Sequence, residues 1–223
     1  MKAISMSNYF FKFESMDIEI KKKLLTMELN TDSLFSELIR KVRDEGLSEK
    51  SISKIFEMFN DLKTSFEQQN GEYSLNHSIR IAAIWWDLSE EKSYETLALC
   101  LGHNLREAGG KKLKNIEVKY LNDYSQKCLK RLTIDRKRER NFEYLAEYYN
   151  DIEEMGDDLV LLKGCDKLDN FLSYPIYDLD LYYFMVVDQF VVPQLSKRMQ
   201  RLSEYLKNVS EYVKTDNAKN YYR

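Results

Sequence analysis

The stretch Leu97–Gly109, LALCLGHNLREAG, decides how the chain is read. Leu97, Leu101 and Leu105 recur at the four-residue spacing of one helix face, and glycine follows where the pattern stops. A buried α-helix is the expectation. Within it stands His103, one of only two histidines in the chain, followed directly by Asn104. An imidazole beside an amide on an apolar helix raises the question of what the pair holds.

The same periodicity runs outward in both directions. Leu, Lys, Glu and Met fill long segments at spacings of three and four, while seven glycines and two prolines in 223 residues leave few places for tight hairpins. The fold class expected is all-α. Helices are expected over about 16–28, 31–45, 48–69, 76–88, 93–108, 117–132, 137–154, 157–173 and 178–212, with Asn70-Gly71, Gly109-Gly110 and Gly156-Asp157 as chain reversals. The organisation expected is a helical extension or cap over 1–55, a main domain over 56–212 and a fraying tail over 213–223.

Composition limits the partners. A hydrophobic content of 43% with 32% charge is ordinary for a soluble chain, and no apolar run approaches a membrane span. The start, MKAISMSNYFFKFES, lacks the apolar core and small-residue cleavage site of a secretory signal, so a cytoplasmic location is expected. Cys100, Cys128 and Cys165 are odd in number and lack CxxC spacing, which points to buried thiols over a disulfide framework or a zinc ribbon. A net charge of −3 gives no strong nucleic-acid signal, and the basic runs Lys21–Lys23, Lys111–Lys114 and Arg136–Arg140 read as solvated helix faces. The pair Trp85-Trp86 reads as core packing.

Four side chains form a candidate constellation: His77, His103, Asn104 and Asp166. His103 and Asn104 would lie about 100° apart on one helix, with Glu107 one turn beyond His103. In DLVLLKGCDKLDN, Asp166 interrupts an apolar helix with a carboxylate that needs a partner when buried. Two imidazoles, a carboxylate and an amide oxygen make a mixed donor set suited to Mn, Fe or Mg. Each member also has a structural reading. A histidine on an apolar helix can be a hydrogen-bonded core residue, and Asp166 can pair with Lys163 or Lys167.

Order along the chain adds a resemblance. NGEYSLNHSIRIAAIWWDLS, ETLALCLGHNLREAG, LVLLKGCDKLDNF and VVDQFVVPQLSKRM, between about Phe66 and Leu206, resemble in sequence the HD-domain phosphohydrolases, closest to the RelA/SpoT-type alarmone hydrolases and their stand-alone animal homologues. The resemblance implies an HD-domain-like helical bundle with an extra N-terminal helical segment. It implies a divalent metal, most readily Mn, on His77, His103, Asn104 and Asp166, with Asn104 standing where the family has aspartate. It further implies Glu107 and Asn104 in catalysis, and Lys163, Lys167 and Asn170 against a phosphorylated nucleotide such as (p)ppGpp, whose 3'-pyrophosphate would be removed. The chain departs from the family at Asn104, at Ala108 after Glu107, and at Gln68 and Gln69 where basic residues precede the glycine turn. The rival expectation is an inactive HD fold that binds a nucleotide or a protein partner, and a homo-oligomer stays open.

Overall fold

The computed structural model describes residues 30–67, 72–90, 92–172 and 179–221. Among them the chain is helical throughout, with no strand, so the all-α expectation holds. The helix expected over 16–28 and the residues Gln68 and Gln69 lie outside the described residues. No described helix is long and apolar enough to cross a membrane. The chain divides near Arg136 into two compact units.

The first unit contains α1 (Thr31–Asp44), α2 (Glu49–Glu67), α3 (Glu72–Leu88), α4 (Tyr94–Gly102), α5 (Leu105–Ala108), α6 (Lys111–Tyr120) and α7 (Asp123–Leu132). Asn30 caps α1 by accepting from the Asp32 N–H at 2.8 Å, and Lys41 and Arg43 in the last turn complement its dipole. Its apolar face, Leu34, Phe35, Leu38, Ile39 and Val42, is buried, with Phe35 stacked on Phe59 of α2 at 3.7 Å between ring centroids. Gly46, at φ +96°, closes the helix: its N–H reaches the Arg43 carbonyl and the Leu47 N–H reaches that of Val42. Helix α3 is buried nearly all round, from Ile79 through Trp86, and is the centre of this unit. Both tryptophans are core, as expected.

Two breaks depart from the expected helices. The helix expected over 93–108 ends at Gly102, and His103 and Asn104 form a turn before the short α5. The cause is packing: a Cβ on Gly102 would meet Leu105 Cδ1 at 2.9 Å and Met58 Cε at 3.1 Å, so the chain folds back closely at that point. The helix expected over 117–132 starts earlier and is divided, because Asn122 accepts from the Ser125 N–H at 2.8 Å and starts α7 afresh.

The second unit contains α8 (Phe142–Met155), α9 (Asp157–Leu172), α10 (Leu181–Val186), a π-helical turn (Val187–Val191), α11 (Val192–Ser196) and α12 (Gln200–Tyr221). Arg136–Arg140, expected to enter a helix at 137, precedes it, and Asn141 caps α8 through the Tyr144 N–H at 2.9 Å. The single helix expected over 178–212 is instead α10, the π-helical turn and α11 in one run, followed after a break at 197–199 by α12. Pro193 has no N–H to donate back into the previous turn, and the π-helical turn just before it absorbs the mismatch. Gly164 of α9 lets α11 approach, since a Cβ there would lie 2.9 Å from Leu195 Cδ1. Helix α12 continues to Tyr221, with Val209 and Val213 buried at i and i+4, past the point where apolar periodicity fades in the sequence. Cys100, Cys128 and Cys165 are buried and not disulfide-bonded.

Candidate functional site

In the first unit the two histidines meet. His77 comes from the second turn of α3 and His103 from the residue that closes α4, and each is only 5% exposed. Their ring centroids are 5.2 Å apart with the planes at 62°. His103 Nδ1 lies 2.8 Å from the Cys100 carbonyl oxygen. A carbonyl only accepts, so the neutral ring carries its proton on Nδ1 and presents the Nε2 lone pair.

The spacing fits joint ligation of one cation. Metal to nitrogen distances of about 2.1 Å, and ring centroids about 1.1 Å beyond the nitrogen, place each centroid about 3.2 Å from an ion. Ligand angles of about 90–109° then separate the centroids by about 4.5–5.2 Å. The fixed tautomer of His103 is also the one a ligating imidazole requires, with the far nitrogen donating to a carbonyl.

His103 does not share one continuous helix with Asn104 and Glu107 as expected, because α4 ends at Gly102 and Asn104 begins the separate α5. Asn104 sits at φ −95°, ψ 3°, the sparsely populated bridge region, and is half-buried. Its side chain does not cap α5. The Glu107 carboxylate accepts from Arg136 Nη2 at 2.5 Å and from the Ile134 N–H at 3.4 Å.

In the second unit Lys163, Asp166, Lys167 and Asn170 share one face of α9, at i, i+3, i+4 and i+7. Asp166, 7% exposed, pairs with Lys163 at 3.0 Å and Lys167 at 3.4 Å. These ion pairs compensate the buried carboxylate, as a structural role would require. Asn170 Nδ2 donates to Asp166 Oδ1 at 3.2 Å and to the Tyr183 hydroxyl at 2.8 Å. Burial is the largest single effect on Lys167 and opposes its charge, yet the Asp166 carboxylate together with Tyr183 and Tyr149 outweighs it, and the ammonium is held above its ordinary range.

Two tyrosines that the sequence reading did not single out belong to this cluster. Lys163 lies over the Tyr148 ring at 5.6 Å and Lys167 over the Tyr183 ring at 4.6 Å. Burial pushes both phenols up to about 12, so both stay protonated at neutral pH. The only signal available beforehand was the sixteen tyrosines of the chain, which says nothing about which ones meet α9.

No protein-family model matches the chain, and neither curated proteins nor solved structures give a match.

Proposed function

We propose that the chain is a metal-dependent phosphohydrolase acting on a phosphorylated nucleotide in the cytoplasm, with the 3'-pyrophosphate of a guanosine alarmone as the first substrate to test. The observation that carries this reading is the buried His77 and His103 pair, 5.2 Å apart, with the His103 proton fixed on the nitrogen away from Nε2. In this reading Asp166 adds a carboxylate oxygen to the two imidazole nitrogens of His77 and His103 as the third donor to the ion. The amide oxygen of Asn104 is the fourth donor in the reading. The mixed set suits Mn, with Fe or Mg as the other candidates. When bound, such an ion supplies an acidified water and positive charge beside the phosphoryl oxygens.

The chain's own groups do the rest. The Cys100 carbonyl holds the His103 ring in its ligating tautomer. Lys163 and Lys167 offset phosphate charge, and Asn170, oriented by the Tyr183 hydroxyl, hydrogen-bonds the nucleotide sugar. Glu107 takes the proton from the attacking water, for which its carboxylate must exchange Arg136 for that water.

That last requirement favours a second reading, an inactive fold that binds a nucleotide or a protein partner. The same experiment separates the two. Purified protein is analysed for bound metal, then given Mn and a panel of phosphorylated nucleotides. Phosphate or pyrophosphate release that His103→Ala abolishes supports the hydrolase. Nucleotide binding without turnover, in wild type and in Asn104→Asp alike, supports the binding protein and removes the enzyme.

A further inference from the structure

A concavity lies in the first unit, away from the histidines. The turn between α1 and α2 and the start of α4 border an open cleft of about 410 Å³, within the size range of small-molecule sites. Helices α3 and α4 form an antiparallel pair with the histidines at one end and this cleft at the other. Trp86 follows His77 by nine residues and His103 follows Tyr94 by nine, so the two places are separated by about 13 Å of helix.

The lining is cationic where it is open. Glu45, one of the two carboxylates in the lining, is already engaged by Lys41 at 3.2 Å, by Lys92 and by the Trp86 Nε1–H at 3.0 Å. Lys50 and Lys54 also line the cleft, and neither pairs with a carboxylate among the described residues. Lys54 instead stands over the Tyr94 ring at 5.3 Å. The one further acid at the rim is Glu95. Ser51 sits between the two lysines, one turn of α2 below Lys54. The site therefore offers two uncompensated ammonium groups and a hydroxyl, beside an aromatic ring and the Leu47 side chain.

We propose that this cleft binds a small phosphate monoester with an apolar or aromatic body, at a site separate from the histidine pair. The ammonium groups of Lys50 and Lys54 hold the phosphate, Lys54 moving off the Tyr94 ring to do so, and the Tyr94 face so freed and Leu47 take the organic part. Inorganic phosphate, lacking that part, binds more weakly.

The test is calorimetric titration of the full chain with phenyl phosphate and with inorganic phosphate, in buffer without divalent metal. Expected is one saturable site for phenyl phosphate, with affinity lowered at least about tenfold in Lys50→Ala/Lys54→Ala, the loss of one charge-assisted hydrogen bond or more. Ser51→Glu, which puts a carboxylate between the lysines, produces the same loss without removing either of them. His103→Ala leaves the affinity within about twofold. The absence of saturable binding overturns the proposal. So does binding that survives both cleft variants, or binding that disappears in His103→Ala.

Discussion

Asp87, at the end of α3, sits where burial and ion pairing oppose each other, and replacing it with asparagine tests which prevails. Its side chain is 16% exposed and bonded to the ammonium of Lys41 on α1. Burial raises its carboxyl from 3.8 to about 6, helped by the Glu45 carboxylate and opposed by the Lys41 and Lys92 cations. A raised folded value means the native state holds the proton more tightly than the unfolded chain. Stability therefore falls as pH rises from about 4 to about 6 and is level above that. The full gap corresponds to about 3 kcal/mol, reduced to about 2 kcal/mol by the solvent that still reaches the group. Asparagine does not titrate. The stability of Asp87→Asn relative to wild type is thus expected to rise by about 2 kcal/mol between pH 4 and pH 7. Urea unfolding followed by tryptophan fluorescence suits the measurement, since Trp85 and Trp86 are both in the first unit and are the chain's two tryptophans. A difference that stays constant with pH would show that Lys41 cancels burial, and one that shrinks as pH rises that Lys41 outweighs it; either refutes the reasoning.

Lys41→Met leaves Asp87 and Glu45 without their buried cation and is expected to cost about 3–5 kcal/mol near neutral pH, with Lys41→Met/Asp87→Leu recovering much of it in the same unfolding assay. Gly164→Ala forces a Cβ against Leu195 and should cost about 1–3 kcal/mol by circular dichroism and urea, less when Leu195→Val accompanies it. Gly46→Ala meets no atom within 4 Å, so its expected loss of about 1–2 kcal/mol comes from the positive φ alone. A near-zero effect there would mean the α1 to α2 turn relaxes.

Helix type was legible wherever one face stayed apolar over several turns, as in α1, α2 and α9. Helix breaks were less so, because their causes are tertiary. Gly102, where α4 ends, is approached closely by Leu105 three residues on and by Met58 of α2, and only the second of these comes from elsewhere in the chain. Asn122 could be foreseen as a cap, but LNDYSQ follows a periodic segment and continues its spacing. Pro193 announces a disturbance, yet the apolar run VVDQFVV conceals that one turn widens to accommodate it. At the candidate site, Lys163, Asp166, Lys167 and Asn170 could be put on one face from their spacing alone, because a helix fixes that relation locally. The approach of Tyr148 and Tyr183 to that face depends on α8 and α10, and nothing in their own sequence marks them. The relation of Asn104 and Glu107 to His103 was misjudged for the same reason as the α4 break.

The most direct measurement is Mn binding to the full chain, by calorimetry and elemental analysis, for wild type and for His77→Ala, His103→Ala and Asp166→Asn. The account predicts one ion per chain in wild type and at least about a hundredfold weaker binding in each variant, with the helical circular dichroism preserved. A wild-type chain that binds no ion, or one whose affinity is untouched by all three substitutions, would contradict it and leave the two imidazoles as packed core histidines.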